Sequence, residues 1–428
     1  MVPHVRSHRH AVTRVYLHTF GCKANQYDSE VLRQALETAG VFVVDDPASA
    51  NAAIVNSCTV THVSEAKMRG LVRRISRENP TLTSVFVIGC AATLDDGTIR
   101  SIPGVTSVIG GTDPHKVLEA MGLSVSGVDS ILRSFERGSR AWLKIQDGCD
   151  EHCTYCATRV ARGSSASRAE EEIMREAKVL AEAHAELVLT GVHIGSYGQD
   201  LRYKPKLSDL VTNLINGIPD VRFRLSSVEA TQIDERLMNL MATAPTRLAP
   251  HVHAPLQSGC DRILRLMGRT WYTVADYRQQ LENLAERVTT LGLGADVIVG
   301  FPGETDEDFA ATKSLIEALP FTYLHVFPYS PRPVAPSVKL GPAAEPGVVK
   351  QRSSELRILA DTKQAAYRAA RNDCDGDVVL LRRAGGRFEG LTEDYLSVVA
   401  PTDATLPARF EATLRHRDGT LWAEPTVN

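Results

Sequence analysis

The sequence predicts an α/β protein in three parts: a parallel-sheet domain, a longer incomplete barrel of six βα units and a small all-β tail. Three observations predict it. Up to about residue 125, short apolar runs alternate with amphipathic segments; from Ala141 to about Ser330 the alternation restarts over six strand-like segments; beyond Asp377 only alternating segments remain. Strand–helix alternation marks a parallel sheet, because parallel neighbours need a crossover between them. A chain of 428 residues is also too long for one core.

The elements follow in order. Residues 1–13 form a basic arm, with His4, Arg6, His8, Arg9 and His10 but no apolar stretch of the length a secretory signal needs. In the first domain, 14–125, Val15 to Phe20, Ala52 to Ser57 and Ser84 to Gly89 read as strands, separated by helical patterns over Ser29 to Ala39 and Val63 to Arg77. Asn79-Pro80 ends the second helix, since a residue before proline is pushed out of helical geometry. Weak patterning from Ser124 to Arg137 places a linker at 126–138. The second domain, 139–370, carries strands at Ala141 to Gln146, Glu186 to Thr190, Val221 to Leu225, Pro250 to Ala254, Leu293 to Val299 and Thr322 to Phe327. In such a barrel the working residues lie at the carboxyl ends of the strands. A proline-bearing passage and a helix around Ser353 to Arg371 lead to the tail, 371–428, where Val378 to Arg382, Tyr395 to Val399 and Phe410 to Leu414 alternate like strands.

Hydrophobic residues at 43% and charged residues at 23% give a soluble globular balance and exclude disordered and fibrous classes. No apolar run approaches the roughly 18–20 residues that span a bilayer, so no membrane partner is expected. Without targeting signals, a reducing cytoplasmic location follows, where eight cysteines serve as metal ligands or reactive thiols rather than disulfides. The net charge of −3 leaves any nucleic-acid argument to local clusters.

Cys149, Cys153 and Cys156 share one tight loop directly after a strand. Three thiolates this close can hold three irons of a cubane cluster and leave the fourth iron open. A structural zinc site wants four ligands, and His152 is the only local substitute for a fourth cysteine. Cys22, Cys58 and Cys90 are far apart in sequence, yet each follows a strand of the first domain. Adjacent parallel strands deliver their carboxyl ends to one sheet edge, so these thiols converge there; the plain alternative is three buried cysteines filling a core. Cys260 and Cys374 lack companions and read as ordinary thiols.

The Cys149-x3-Cys153-x2-Cys156 spacing resembles the radical S-adenosylmethionine (SAM) superfamily, in which the open iron binds the methionine moiety and electron transfer yields a 5′-deoxyadenosyl radical. That resemblance places the cofactor against Tyr155 just before the third cysteine, Gly191 and His193 after the second strand, Ser227 and Glu229 (with Ser226) after the third, and Val299 and Gly300 in the segment that ends the fifth. Over nearly the whole chain, Thr19-Phe20-Gly21-Cys22-Lys23-Ala24-Asn25-Gln26-Tyr27, Val55-Asn56-Ser57-Cys58-Thr59 and Val87-Ile88-Gly89-Cys90-Ala91 resemble the methylthiotransferase family. The Gly21-Cys22-Lys23 to Asn25-Gln26-Tyr27 wording is most similar to the subgroup acting on N6-threonylcarbamoyladenosine. The resemblance implies a Rossmann-like N-terminal domain, a radical SAM partial barrel and a TRAM-like β-barrel. It also implies two 4Fe-4S clusters, S-adenosyl-L-methionine, a sulfur donor and an electron donor such as flavodoxin or ferredoxin. The implied substrate is adenosine 37 of the tRNA anticodon loop, methylthiolated at C2. Two departures touch substrate loops: Arg159 stands where the family commonly has a nearby proline, and Tyr329 to Ala335 lacks the usual glycine-threonine. No catalytic residue beyond the cluster ligands is assigned.

An RNA partner has its own support. Arg69, Arg73 and Arg77 recur every four residues and make one helical stripe basic, although a solvated face would look the same. Arg382, Arg383 and Arg387 could supply phosphate contacts from the tail. Two other readings stand beside the leading one: methylthiolation of isopentenyladenosine or of a ribosomal-protein aspartate, and a zinc-stabilised RNA-binding protein without catalysis.

Overall fold

The computed structural model describes residues 13–123, 127, 129, 131–135, 138–384, 387–400 and 406–426, with the backbone alone for 382–384 and 387. Most of the basic arm and part of the 126–138 linker lie outside the described residues, as do the side chains of Arg382, Arg383 and Arg387. The chain divides after Leu132 into two compact units.

The first unit runs β1 (Arg14–Thr19), α1 (Lys23–Thr38), β2 (Phe42–Val44), β3 (Ala52–Ser57), α2 (His62–Glu78), β4 (Ser84–Gly89), α3 (Cys90–Thr93), β5 (Ser107–Gly110) and α4 (Pro114–Ala120). Its sheet has the order β2-β1-β3-β4-β5, with every pairing parallel. Period-2 alternation sorts the strand residues to two faces. Ala53, Val55, Val85 and Val87 pack with Met68, Val72 and Ile75 of α2 on one face, while Val15, Ile54, Phe86 and Ile88 pack with Leu32 and Leu36 of α1 on the other. Each fully buried aliphatic side chain contributes roughly 1.5–3 kcal/mol, so both faces hold the sheet. The predicted strands stand within a residue of their expected bounds. Helix α1, however, starts six residues before the expected Ser29, because buried Asn25, Asp28 and Arg33 interrupt its apolar pattern. Strands β2 and β5 are short and incompletely buried, too weak to read as alternation.

The second unit contains β6 (Arg140–Lys144), β7 (Gln146–Asp147), α5 (Thr158–Arg162), β8 (Ala166–Ser167), α6 (Glu170–Ala181), β9 (Glu186–Thr190), α7 (Leu207–Gly217), β10 (Arg222–Leu225) and α8 (Glu235–Thr243). It continues through β11 (His251–His253), α9 (Asp261–Leu266), α10 (Val274–Arg287), β12 (Gly292–Val299), α11 (Asp306–Ala318), β13 (Tyr323–Pro328) and α12 (Pro346–Ala370). Six strands form two parallel triplets, β10-β9-β6 and β11-β12-β13, joined by the bridges Phe223↔Leu248 and Ser227↔His253. This is the incomplete barrel expected. On β12, Ala295, Val297 and Val299 are buried while Asp296 and Ile298 are only partly so; the second set faces the lumen. Helix α12 begins at Pro346, seven residues before the predicted start, because proline is well suited to the first turn.

The tail comprises β14 (Asp375–Ala384), β15 (Arg387–Leu391), β16 (Ser397–Ala400), β17 (Arg409–Arg417) and β18 (Thr420–Pro425), closed as β14-β15-β16-β18-β17. It seals the amino-terminal end of the larger barrel. Arg222 Nη1 donates to the Asp377 carbonyl at 2.6 Å, and Arg224 donates to the Thr392 and Glu393 carbonyls, both at 2.9 Å. The Glu186 carboxylate meets both arginines and Arg140 from the barrel side. Gly292 leaves room for this docking, since a Cβ there would fall 2.0 Å from the Asp394 carbonyl oxygen.

Candidate cluster and cofactor sites

In the first unit the three cysteines follow three neighbouring strands, β1, β3 and β4. Asn25 lies among them. Its Nδ2 donates to the Phe20 and Ser57 carbonyls at 2.9 and 3.0 Å, while its Oδ1 is 3.7 Å from Cys90 Sγ. Gly21, at φ +103°, brings the Cys22 turn so close that a Cβ would sit 2.8 Å from Cys58 Sγ. Cys58 is buried and accepts from the Val60 amide at 3.4 Å, whereas Cys22 is exposed. The parallel order of β1, β3 and β4 sets the three cysteines at the carboxyl-terminal edge of one sheet.

In the second unit, Cys149, Cys153 and Cys156 lie on the loop after β6 and β7, and other segments fix that loop. The Cys149 amide donates to the Gly163 carbonyl at 3.1 Å, Thr154 N donates to the Met267 carbonyl at 2.8 Å, and Thr154 Oγ1 donates to the Leu266 carbonyl at 2.8 Å. Gly268, at φ +74°, permits this approach, because a Cβ would lie 2.6 Å from the His152 carbonyl oxygen. Burial pushes the Cys149 thiol up to about 11. It pushes the Cys153 thiol to about 12, against the opposing pull of Arg269. Both therefore enter a metal group from the thiol form, and loading releases protons. His152 lies against the Arg159 guanidinium at 2.7 Å, on the exposed side of the loop.

The other expected residues surround this loop. His193 Nδ1 is 3.9 Å from Cys149 Sγ and its Nε2 is 3.0 Å from Gln232 Oε1. Gly191 lies against Gln146, and a Cβ there would be 2.6 Å from the Gln146 carbonyl oxygen. Ser227 pairs with His253 in a parallel bridge, and the Glu229 carboxylate accepts from Arg269 Nη2. Gly300, at φ +78°, donates its amide to Glu304 Oε2 at 2.8 Å one residue past Val299. The Tyr155 ring stands edge-on to Phe301 with centroids 6.5 Å apart. Ser226 Oγ is buried and has no hydrogen-bond partner among the described residues. A polar ligand at these strand ends would satisfy it. Three thiols, an orphaned hydroxyl and close-approach glycines thus fit an iron–sulfur cluster with an amino-acid-bearing cofactor beside it.

Two residues that shape the site were given no role from the sequence. Gln146 is fully buried; its Nε2 donates to the Asp147 and Gly148 carbonyls, and its Oε1 accepts the Val192 and His193 amides. It ties the cysteine loop to the segment after β9. Arg269 is 4% exposed and donates to Glu229, to Tyr272 Oη at 2.9 Å and to Tyr155 Oη at 3.4 Å, with Cys153 Sγ at 3.9 Å. A glutamine in a strand just before the cysteines was a usable signal; an arginine 116 residues beyond Cys153 gave none. Cys260 bonds Asp308 and Cys374 lies against the Ala370 carbonyl, as ordinary thiols do.

The basic stripe of α2 is mixed. Arg73 is exposed, while Arg69 approaches Glu65 at 4.0 Å and Arg77 bonds Glu78 at 2.8 Å. No helix among the described residues is long and apolar enough to cross a membrane.

Residues 14–110 match the uncharacterized protein family UPF0004, and residues 143–316 match the radical SAM superfamily. The chain is 34% identical, over 90% of both chains, to the threonylcarbamoyladenosine tRNA methylthiotransferase MtaB of Bacillus subtilis. It is 35% identical over 83% of both chains to the MtaB of Thermotoga maritima. It is 31% identical to a tRNA-2-methylthio-N(6)-dimethylallyladenosine synthase of Protochlamydia amoebophila, over 87% of this chain and 86% of that one. Among solved structures it resembles the radical S-adenosylmethionine methyltransferase TsrM of Kitasatospora setae, with a TM-score of 0.56 at 16% identity, covering 76% of this chain and 77% of that one. At that identity the likeness is one of fold.

Proposed function

The chain belongs to the radical SAM methylthiotransferases, and from that premise we propose that it is a cytoplasmic enzyme that methylthiolates C2 of N6-threonylcarbamoyladenosine at position 37 of tRNA. It is a tRNA methylthiotransferase with two 4Fe-4S clusters and S-adenosylmethionine as cofactors. The observation that carries the finer substrate is the MtaB name on relatives covering 83–90% of the chain, together with the Gly21-Cys22-Lys23 wording. The dimethylallyladenosine reading rests on relatives of that name at 31–34% identity.

Cys149, Cys153 and Cys156 hold one cluster in this reading, and Cys22, Cys58 and Cys90 the other. When bound, these groups supply radical chemistry at a carbon too inert for ordinary acid–base attack, together with a sulfur site. The protein's own contribution is positional. Tyr155, Gly191, His193, Ser227, Glu229, Val299 and Gly300 line the cofactor, and Ser226 Oγ gains a partner there. Gln146 and Gly268 fix the cysteine loop, while Arg269 sets a positive charge beside Cys153 and orients Glu229. Arg69, Arg73 and Arg77, with Arg382, Arg383 and Arg387, meet RNA phosphates.

Nucleoside analysis of tRNA from a deletion strain tests the substrate. Loss of 2-methylthio-N6-threonylcarbamoyladenosine is expected; an unchanged level, with the dimethylallyl derivative lost instead, selects the other reading. Cys153→Ala should abolish reductive cleavage of S-adenosylmethionine, and Cys58→Ala should spare cleavage and stop sulfur transfer. If both variants lost only sulfur transfer, the assignment of the two cysteine sets would be wrong.

A further inference from the structure

The lumen of the larger barrel carries a polar cluster that the cluster and cofactor sites do not use. Asp296 on β12 accepts from His253 Nε2 on β11 at 2.9 Å and from His325 Nδ1 on β13 at 3.1 Å. Behind them, Tyr323 Oη lies 3.0 Å from His253 Nδ1 and 2.8 Å from His251 Nε2. The register explains the convergence: His253 pairs with Gly294 and Gly294 with Tyr323, while Asp296 pairs with His325. Gly294 is what lets the Tyr323 ring cross to the histidines, since a Cβ there would fall 2.0 Å from its Cζ.

The protons of this chain follow from its one obligate acceptor. A carboxylate accepts only, so both histidines present N–H to Asp296. His253 Nδ1 then takes the Tyr323 hydroxyl proton, and the Tyr323 oxygen takes the N–H of His251 Nε2. Both ring nitrogens of His253 are thereby engaged. His325 differs: its side chain is 56% exposed against 9% for His253, and its Nε2 has no partner among the described residues. Its ring is nevertheless fixed, by Asp296, by His253 at 5.1 Å between centroids and by Phe327 edge-on at 6.2 Å. The layer lies just inside the cofactor residues. Ser227, two residues before Glu229, bridges to His253, and Asp296 precedes Val299 by three residues, about 10 Å of strand.

A pinned ring with one open nitrogen is a built contact for a polar group entering the lumen. We propose that His325, held by Asp296, reads the substituent on N6 of the target adenosine by bonding its carboxylate through Nε2. The proposal rests on the substrate reading above. A threonylcarbamoyl group ends in a carboxylate, and a dimethylallyl group offers no polar atom at all. With Asp296 on Nδ1 and the ligand carboxylate on Nε2, the ring takes up one proton from solvent as the ligand binds and serves as a double N–H donor between two acceptors, the stronger, charge-assisted form of hydrogen bond. Asp296 does not oppose the ligand, because two N–H donors already meet its charge.

The test compares two tRNAs identical except at position 37, one bearing N6-threonylcarbamoyladenosine and one unmodified, on the anaerobically reconstituted full chain. The readout is the ratio of their dissociation constants. The wild type should favour the modified tRNA by about 10- to 100-fold, the range for a hydrogen bond to a charged group. His325→Phe should bring the ratio close to one, and His325→Gln, which keeps a donor, should restore part of it. A folding or general RNA-binding defect cancels in this ratio. If the wild type converts the modified tRNA to product but His325→Phe keeps the full ratio, the inference alone fails. If the wild type is inert on the modified tRNA and active on the dimethylallyl one, the substrate reading fails and takes the inference with it. If the holoenzyme holds one zinc or manganese ion per chain that His325→Phe loses, the cluster is a cation site and the inference is overturned.

Discussion

Replacing Glu186 with glutamine should loosen the joint between the barrel and its tail. The carboxylate accepts four N–H bonds: Oε1 from Arg140 Nε at 2.6 Å and Arg224 Nε at 3.0 Å, and Oε2 from Arg222 Nε at 2.7 Å and Arg224 Nη2 at 2.9 Å. Glutamine keeps one oxygen and turns the other into an N–H donor facing arginine N–H groups. Two charge-assisted bonds are lost, about 3–6 kcal/mol at 1.5–3 each, in line with the roughly 3–5 kcal/mol for breaking a buried ion pair. For a unit of this size that lowers Tm by roughly 5–10 °C. The assay is thermal unfolding of the full chain by circular dichroism, beside the exposed control Glu282→Gln, whose i,i+4 pair with Arg278 contributes little. The pH dependence sharpens the case. Burial pushes the Glu186 carboxyl up, but Arg224, Arg140 and Arg222 together outweigh it and hold it well below the usual range. A carboxyl depressed in the folded state stabilises fully above its unfolded value, near 4.3, and loses that contribution as pH falls through the folded value. The wild-type advantage over the glutamine variant should therefore be full at pH 7 and shrink below about pH 4.3. A Tm loss no greater than that of the control, or a gap that widens in acid, would refute the reasoning.

Three further outcomes are expected. Arg269→Met removes the positive charge 3.9 Å from Cys153 and strands the Glu229 carboxylate, so the midpoint potential of that cluster should become more negative in EPR-monitored titration without S-adenosylmethionine; an unchanged or more positive potential would count against an electrostatic role. Gly268→Ala forces a Cβ to within 2.6 Å of the His152 carbonyl oxygen at a positive φ, so anaerobically reconstituted protein should fall from about eight irons per chain toward about four; a full iron count would show that the cysteine loop tolerates displacement. Arg73→Ala should weaken tRNA binding and reduce the slope of log K against log salt by roughly one, and an unaltered slope in a salt-titrated binding assay would mark the α2 stripe as a solvated face.

The sequence by itself located the six barrel strands, the three central strands of the first sheet and the two cysteine sets. Hydrophobic periodicity is a local property, and residues directly after adjacent parallel strands must share a sheet edge, so Cys22, Cys58 and Cys90 could be brought together on paper. It also marked the turns at Gly191 and Gly300, because glycines after strands are read one at a time. It hid the start of α1, where buried Asn25 and Asp28 break the apolar pattern, and the β15 and β18 strands that close the tail. Only the tertiary structure brought Arg269 to Cys153 across 116 residues, Tyr323 over Gly294 to His253, and Arg224 from the barrel to the Thr392 carbonyl across 168. Each depends on strand register and on which buried charge finds a partner. Neither leaves a mark in local periodicity, because a buried arginine and an exposed one occupy the same position in a strand pattern until the element that covers them is in place.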